Sequence, residues 1–212
     1  MANLDALELN DEPLEVAHEF EVDLNCIVVV NHRFTLEGID RSEEEDLRAI
    51  GKDFAIEDLE IMNSEANHLH TFYEDLRQAA NSLAVVGLVT RFHHWTTQLV
   101  RRLPSTPRPY AQQALARELL ALSETLGAGP VDVQFFKDLV TVRDSVIHGD
   151  SRSEWEFPPG NSRSIANHYR SAAGRVEISE EQLADAIKKA IQQVKWYDHQ
   201  AEAGSDSAAG SS

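Results

Sequence analysis

The stretch TVRDSVIHGDSR, residues 141–152, holds the side chains of this chain that are best suited to chemistry. Arg143 and His148 precede a glycine, Gly149, at the end of a predicted helix. A guanidinium group binds anions, and an imidazole can transfer protons near neutral pH. The pattern therefore predicts either anion binding coupled to proton transfer or a helix that simply ends in a cation, as many helices do.

The position of Arg143 on its helix favours a specific anionic partner. Apolar residues at helical spacing predict a stripe that includes the arginine: Phe136, Leu139, Val140, Arg143, Val146 and Ile147. A buried guanidinium is costly without a carboxylate or phosphate beside it. His148 lies about 140° further around the helix, on the polar flank with Asp144. We therefore expect Arg143, Asp144 and His148 to line one groove.

Other catalytic and metal-binding patterns are weak in this sequence. His68 and His70 are spaced by two residues, which does not place two ligands on one helical face. There is no glycine-rich phosphate loop and no Gly-x-Ser-x-Gly motif. The sequence therefore predicts no metal site and no cofactor.

Composition indicates a globular protein of a reducing compartment. The chain has 212 residues, of which 42% are apolar, enough for a well-buried core. Cys26 is its only cysteine, so no intramolecular disulfide can form. The acidic N-terminus does not resemble a signal peptide, and the longest apolar runs are too short to span a bilayer. We expect a cytoplasmic protein without membrane contact.

The net charge of −17 is unevenly distributed along the chain. Residues 1–90 contain 5 Lys and Arg against 21 Asp and Glu, whereas residues 91–175 contain 11 against 8. An acidic protein repels nucleic acid at long range, yet the segment around Arg143 is locally basic. The acidic half is expected to face away from any nucleic-acid groove, to bind a protein, or only to keep the chain soluble.

Periodicity predicts an all-α helical bundle with a small β-hairpin insertion near 151–178. Ser42 and Glu45 form a capping box, so an acidic N-terminal segment, 1–41, precedes a helical domain, 42–200. A proline-free pattern from 64 to 103 indicates one very long helix or two collinear ones.

The second half of the chain divides at prolines and glycines. Two further helices precede Gly127 and Gly149, and Ser179 with Gln182 forms a second capping box before the last helix. Between Gly149 and the last helix, the runs IANHYRS and RVEIS can pair as a hairpin. The small polar residues of 201–212 predict a disordered tail.

LVTVRDSVIHGD resembles the signature of HEPN domains, and SLAVVGLVTRFHHWTTQLVRRL is similar to the long helix that precedes it in that family. The resemblance covers roughly residues 64–200. It implies an up-and-down helical bundle that forms a homodimer through the motif helix. It also implies a metal-independent RNA endonuclease, often a toxin or defence protein, with an antitoxin or other protein partner. Arg143 and His148 would be catalytic, with Asp144 at the polar position beside the arginine.

The residue types suit such a reaction. RNA can be cleaved by attack of a 2′-OH on the adjacent phosphate, with histidine moving the proton and arginine stabilising charge on the phosphate. In the long helix, RFHHW has His93 or His94 where many HEPN members carry an acid. Since some members are not catalytic, the alternative is a HEPN interaction module whose acidic N-terminal half binds a basic protein partner.

Overall fold

The computed structural model describes residues 15–53, 59–102 and 115–209, and helices dominate these ranges. The helices are α1 (Glu15–Leu24), α2 (Val30–Asp53), α3 (Leu59–Arg102), α4 (Leu115–Leu126), α5 (Val133–His148) and α6 (Glu180–Ala209). A π-helical turn, Asn25–Val29, joins α1 to α2. The predicted fold class, an all-α bundle with a small β-hairpin, is confirmed.

The hairpin forms earlier in the chain than the sequence predicted. β1 (Glu154–Glu156) pairs antiparallel with β2 (Ser162–Ser164). The predicted partners 165–171 and 175–179 meet only at an isolated bridge between Arg170 and Val176, because a 3₁₀ turn, Asn167–Tyr169, occupies the first run. Burial of Trp155 between two exposed glutamates gives β1 the alternation that a half-buried strand requires.

The hydrophobic core surrounds the second half of α3. Phe92 on α3 stacks on Phe136 of α5, with ring centroids 4.5 Å apart, and α6 contributes Ile187, Val194 and Tyr197 to the same cluster. α5 begins where the Asp132 side chain accepts a hydrogen bond from the backbone N–H of Gln134, at 2.8 Å. The core therefore fixes α5 along its length and presents the C-terminal end of that helix at the surface.

The N-terminal segment belongs to the same packed body. Phe20 and Leu24 of α1 are buried in the common core, and α2 runs without interruption across residues 41 and 42. The predicted helix start at Ser42 is wrong, because a capping box stabilises a helix start only where the preceding chain is not helical. Residues 1–14, within the predicted acidic segment, lie outside the described residues.

The second capping box is confirmed. The Ser179 backbone N–H donates to Gln182 Oε1 at 2.9 Å, and the Gln182 backbone N–H donates to Ser179 Oγ at 3.1 Å. α6 then continues to Ala209, past the predicted start of a disordered tail at 201, and the half-buried Ala201 packs against the core. None of the helices in the described ranges has a stretch both apolar and long enough to cross a membrane.

Candidate active site

The buried face of α5 differs from the predicted stripe. Phe136, Leu139, Val142 and Ser145 are buried, whereas Arg143 is half-buried and Ile147 is 53% exposed. The prediction that Arg143 lies in line with the apolar stripe is therefore wrong. The reason is tertiary: the chain after α5 folds back and covers the face that contains Ser145. Arg143 lies at the edge of the core, where water reaches its side chain.

Arg143 and Asp144 form an ion pair. Arg143 Nε and Nη2 donate to one oxygen of the neighbouring carboxylate, Asp144 Oδ1, at 3.0 and 2.5 Å. The side chains remain 23% and 25% exposed. A partly hydrated pair of adjacent residues costs little to rearrange, so the guanidinium remains able to exchange its carboxylate for another anion.

His148 lies apart from that pair. It is exposed in the last turn of α5, and its ring stacks on Phe157, with centroids 3.9 Å apart and planes 3° apart. In the described part of the chain, no hydrogen bond joins His148 to Arg143 or Asp144. The structure thus brings Arg143 and Asp144 together and holds the imidazole elsewhere, against an aromatic side chain.

The turn after α5 delivers Phe157 to the histidine. Gly149 allows a close approach, since a Cβ there would lie 2.7 Å from Cγ of Trp155. Asp150 and Ser151 adopt left-handed backbone conformations, with φ of 53° and 56°. The buried Ser145 then donates its hydroxyl to the carbonyl of Arg152 at 2.5 Å. These contacts fix the start of the hairpin, and Phe157 follows directly after β1.

Sequence reasoning missed Phe157 and the surface beside it. A shallow hollow of about 540 Å³ lies along the hairpin, lined by Arg152, Glu154, Trp155, Glu156, Ser162, Arg163 and Ser164. Arg163 Nε donates to the carbonyl of Phe157 at 3.3 Å, a neutral oxygen that contributes no counter-charge. The available signal was the aromatic residue before two prolines in EFPPG, which marks an exposed turn.

Of the two histidines at the position where an acid was expected on α3, His93 contacts α4, and Nε2 of His94 lies 2.8 Å from Nε2 of Gln98 on the same helix. His93 Nε2 lies 3.4 Å from Oε2 of Glu118, a buried carboxylate on α4. Thr96 and Thr97 also donate hydroxyl hydrogen bonds to Glu118, at 2.7 and 2.8 Å. Burial by itself raises the pKa of Glu118, but the hydrogen bonds from His93 and the two threonines outweigh it and leave the pKa lowered. His93 therefore stabilises the α3–α4 contact.

Within the described ranges, no cluster of three or more His, Cys, Asp or Glu side chains is arranged to hold a metal ion. Near the motif, the groups available for chemistry are an exposed imidazole, a half-buried guanidinium with one carboxylate, and arginines of the hairpin. Comparison with known proteins adds no relative, since no family model, no curated protein and no solved structure matches this chain.

Proposed function

We propose that this chain is a metal-independent RNA endonuclease that acts as a homodimer, with Arg143 and His148 as its catalytic residues. The observation that carries the proposal is the state of His148: its ring is exposed, oriented by Phe157, and given no hydrogen bond by the described residues. Such a ring is available to a substrate as acid or base. The resemblance of TVRDSVIHGD to the HEPN motif supports the same function.

The reaction is an internal transesterification. The 2′-oxygen forms a bond to phosphorus as the bond from phosphorus to the 5′-oxygen breaks, which gives a 2′,3′-cyclic phosphate and a 5′-hydroxyl. One imidazole accepts the proton of the 2′-OH, and a protonated imidazole donates to the departing 5′-oxygen. Arg143 stabilises charge on the non-bridging oxygens after it exchanges Asp144 for the phosphate.

Helix geometry supports a site composed from two subunits. Arg143 and His148 are about 7.5 Å apart along the α5 axis and about 140° apart around it. One chain does not readily direct both side chains at one phosphate, whereas two antiparallel copies of α5 would bring the arginine of one beside the histidine of the other. A dimer also supplies the two imidazoles that the acid and base steps require.

The test is cleavage of single-stranded RNA in the presence of EDTA, with DNA of the same sequence as control. We expect RNA cleavage with a cyclic phosphate at the 3′ product end, and intact DNA, because DNA lacks the nucleophile. A folded dimer that leaves RNA intact, even after removal of any co-purifying protein, would falsify this function. A role as a toxin or defence protein, held inactive by an antitoxin, is proposed on the HEPN resemblance alone.

A further inference from the structure

A groove lies far from Arg143, where the π-helical turn and α2 cross α3. Its volume is about 140 Å³ and it is open to solvent along one side. Its lining includes Ile27, Asn31, Thr35, Ala80, Ala84 and Gly87. The small residues of α3 let the two helices approach closely, since a Cβ at Gly87 would lie 3.2 Å from Cγ2 of Val28. A groove of this size accommodates one apolar side chain.

The backbone around the groove departs from a regular helix. The π-helical turn Asn25–Val29 adds one residue to the helical turn between α1 and α2. Asn31 Nδ2 donates to the carbonyl of Ile27 at 2.8 Å, and Thr35 Oγ1 donates to the carbonyl of Asn31 at 2.8 Å. The side chains of Asn31 and Thr35 are therefore bonded to their own helix, which leaves His32 as the remaining polar side chain of the lining. π-Helical turns of this kind are frequent at functional sites.

His32 is the polar group of the lining that has no partner. His32 is only 5% exposed, and neither its Nδ1 nor its Nε2 has a hydrogen bond within the described structure. Burial lowers the pKa of His32, and the charge of Glu180 on α6 opposes that shift only in part. The ring is therefore neutral at physiological pH, with one donor and one acceptor unused. An unpaired buried imidazole is unusual in a native core, and its two nitrogens can gain a partner only if the lining of the groove shifts.

Exposed apolar side chains form the rim of the groove. Leu83 on α3 is 63% exposed and Ile27 is 37% exposed, and both line the groove itself. Val30 and Phe34, 42% and 67% exposed, each precede a lining residue of α2 by one position. Apolar residues grouped around a groove mark an interaction site more often than single exposed residues do.

The charges around the groove select the kind of partner. Three carboxylates, those of Asp40, Glu43 and Glu74, surround the single guanidinium of Arg77. Arg77 is about 10 Å along α3 from Ala84. Glu180, whose charge reaches His32, adds to this negative surface. A second copy of this acidic chain, or a nucleic acid, would be repelled here, whereas a basic partner would be attracted.

We propose that this groove binds a basic, amphipathic segment of a partner protein, with one aliphatic or aromatic side chain inserted between Ile27 and Leu83, beside His32. The lysines or arginines of that segment contact the carboxylates around Arg77. The proposal does not depend on RNA cleavage, because none of these residues belongs to the candidate active site.

The experiment is selection from a library of short random peptides displayed on phage, with the full chain as target and the Leu83→Ser variant for counter-selection. We expect enriched peptides that carry lysine or arginine together with leucine, phenylalanine or tryptophan. Leu83→Ser should weaken binding of an enriched peptide at least about tenfold, as loss of a central anchor contact does. Leu120→Ser, which removes another exposed leucine, on α4, is the matched control and should change affinity less than about twofold.

Three further results decide the proposal. Bound peptide should shift the imidazole resonances of His32, and the His148→Ala chain should bind the peptide as tightly as the wild type. Enrichment of acidic or neutral peptides, absence of enrichment, or equal weakening by Leu83→Ser and Leu120→Ser would overturn it. So would a concentration-dependent dimer that Leu83→Ser dissociates, since a second copy would then be the occupant.

Discussion

Two clusters in this molecule contain the same three kinds of side chain, an arginine, a carboxylate and a histidine. Between α2 and α3, Arg77 pairs with Asp40, Glu43 and Glu74, and His70 Nδ1 donates to Glu43 Oε1 at 2.9 Å. At the end of α5, Arg143 has one carboxylate and His148 has none. In the first, saturated cluster the arginine and the histidine both have internal carboxylate partners, which outnumber them, whereas the second cluster leaves its imidazole exposed.

The difference lies in the source of the partners. Glu43 is about a tenth exposed, so it relies on groups of α3 for compensation, and hydrogen bonds from His70 and Arg77 lower its pKa. Tyr73 extends the network by donating to Asp46 at 2.6 Å, a bond that raises the pKa of Tyr73 to about 12. The partner of Arg143 is Asp144, its neighbour in sequence, so this ion pair does not join two separate elements. The arginine and the histidine of the saturated cluster therefore stabilise the fold, whereas those of the α5 cluster are available to a ligand.

The largest expected effect separates the two histidines. His148→Ala should lower RNA cleavage by about 10²–10⁴-fold, the typical contribution of a positioned acid or base. His70→Ala, the matched control in the saturated cluster, should change the rate less than about twofold. Single-turnover cleavage rates of the two variants check this, with circular dichroism to show that both are folded. Equal losses of cleavage rate in the two variants would show that His148 has no special role in the reaction.

For stability the order is reversed, and the arginine of the saturated cluster should matter more than Arg143. Arg77→Met leaves Glu43 without a guanidinium and should destabilise the α2–α3 contact by about 1–3 kcal/mol. Arg143→Met leaves only a hydrated Asp144 and should cost less than about 1 kcal/mol. Urea denaturation gives the global values, and hydrogen exchange of α2 amides reveals local opening. A larger loss of unfolding free energy from Arg143→Met than from Arg77→Met would show that Arg143 serves to stabilise the fold.

Phe157→Leu tests whether the stack orients the imidazole. An aromatic pair contributes about 0.5–1.5 kcal/mol beyond its buried area, so we expect a roughly two- to tenfold decrease in cleavage rate. The His148 ring resonances should also move downfield as the ring current of Phe157 is lost. Phe72→Leu, at another exposed phenylalanine, should change neither property. An unchanged His148 resonance in Phe157→Leu would show that the stack does not form in solution.

The smallest effect concerns pH. The pKa of Glu43 is lower in the folded protein than its ordinary value of 4.5, so Glu43 stabilises the fold fully above that value. This stability should be lost as the pH falls from about 4.5 through the folded pKa. Urea midpoints measured across this range should fall more steeply for the wild type than for Glu43→Gln. Parallel profiles would show that Glu43 does not contribute to the pH dependence of stability.

Local patterns in the sequence predicted the helices well. The described residues of the proline-free stretch from 64 to 103 lie in α3, which begins earlier, at Leu59, and Gly149 ends α5 as expected. Each of these features depends on backbone hydrogen bonds within a few residues, which the local residue types influence directly. The two capping boxes show the limit, because Ser179 begins a helix while Ser42 lies inside one. The motif is the same, and only the chain before it differs.

The sequence by itself determined that this protein is helical, where most of the helices break, and that Arg143, Asp144 and His148 share one short segment. Only the tertiary structure decided which face of α5 is buried, that Phe157 rather than Arg143 contacts His148, and that Arg77 is surrounded by acids from two helices. The physical reason is that helix formation is governed by neighbours three and four residues away. Side-chain contacts between separate elements depend on packing of the whole chain, which no local spacing encodes.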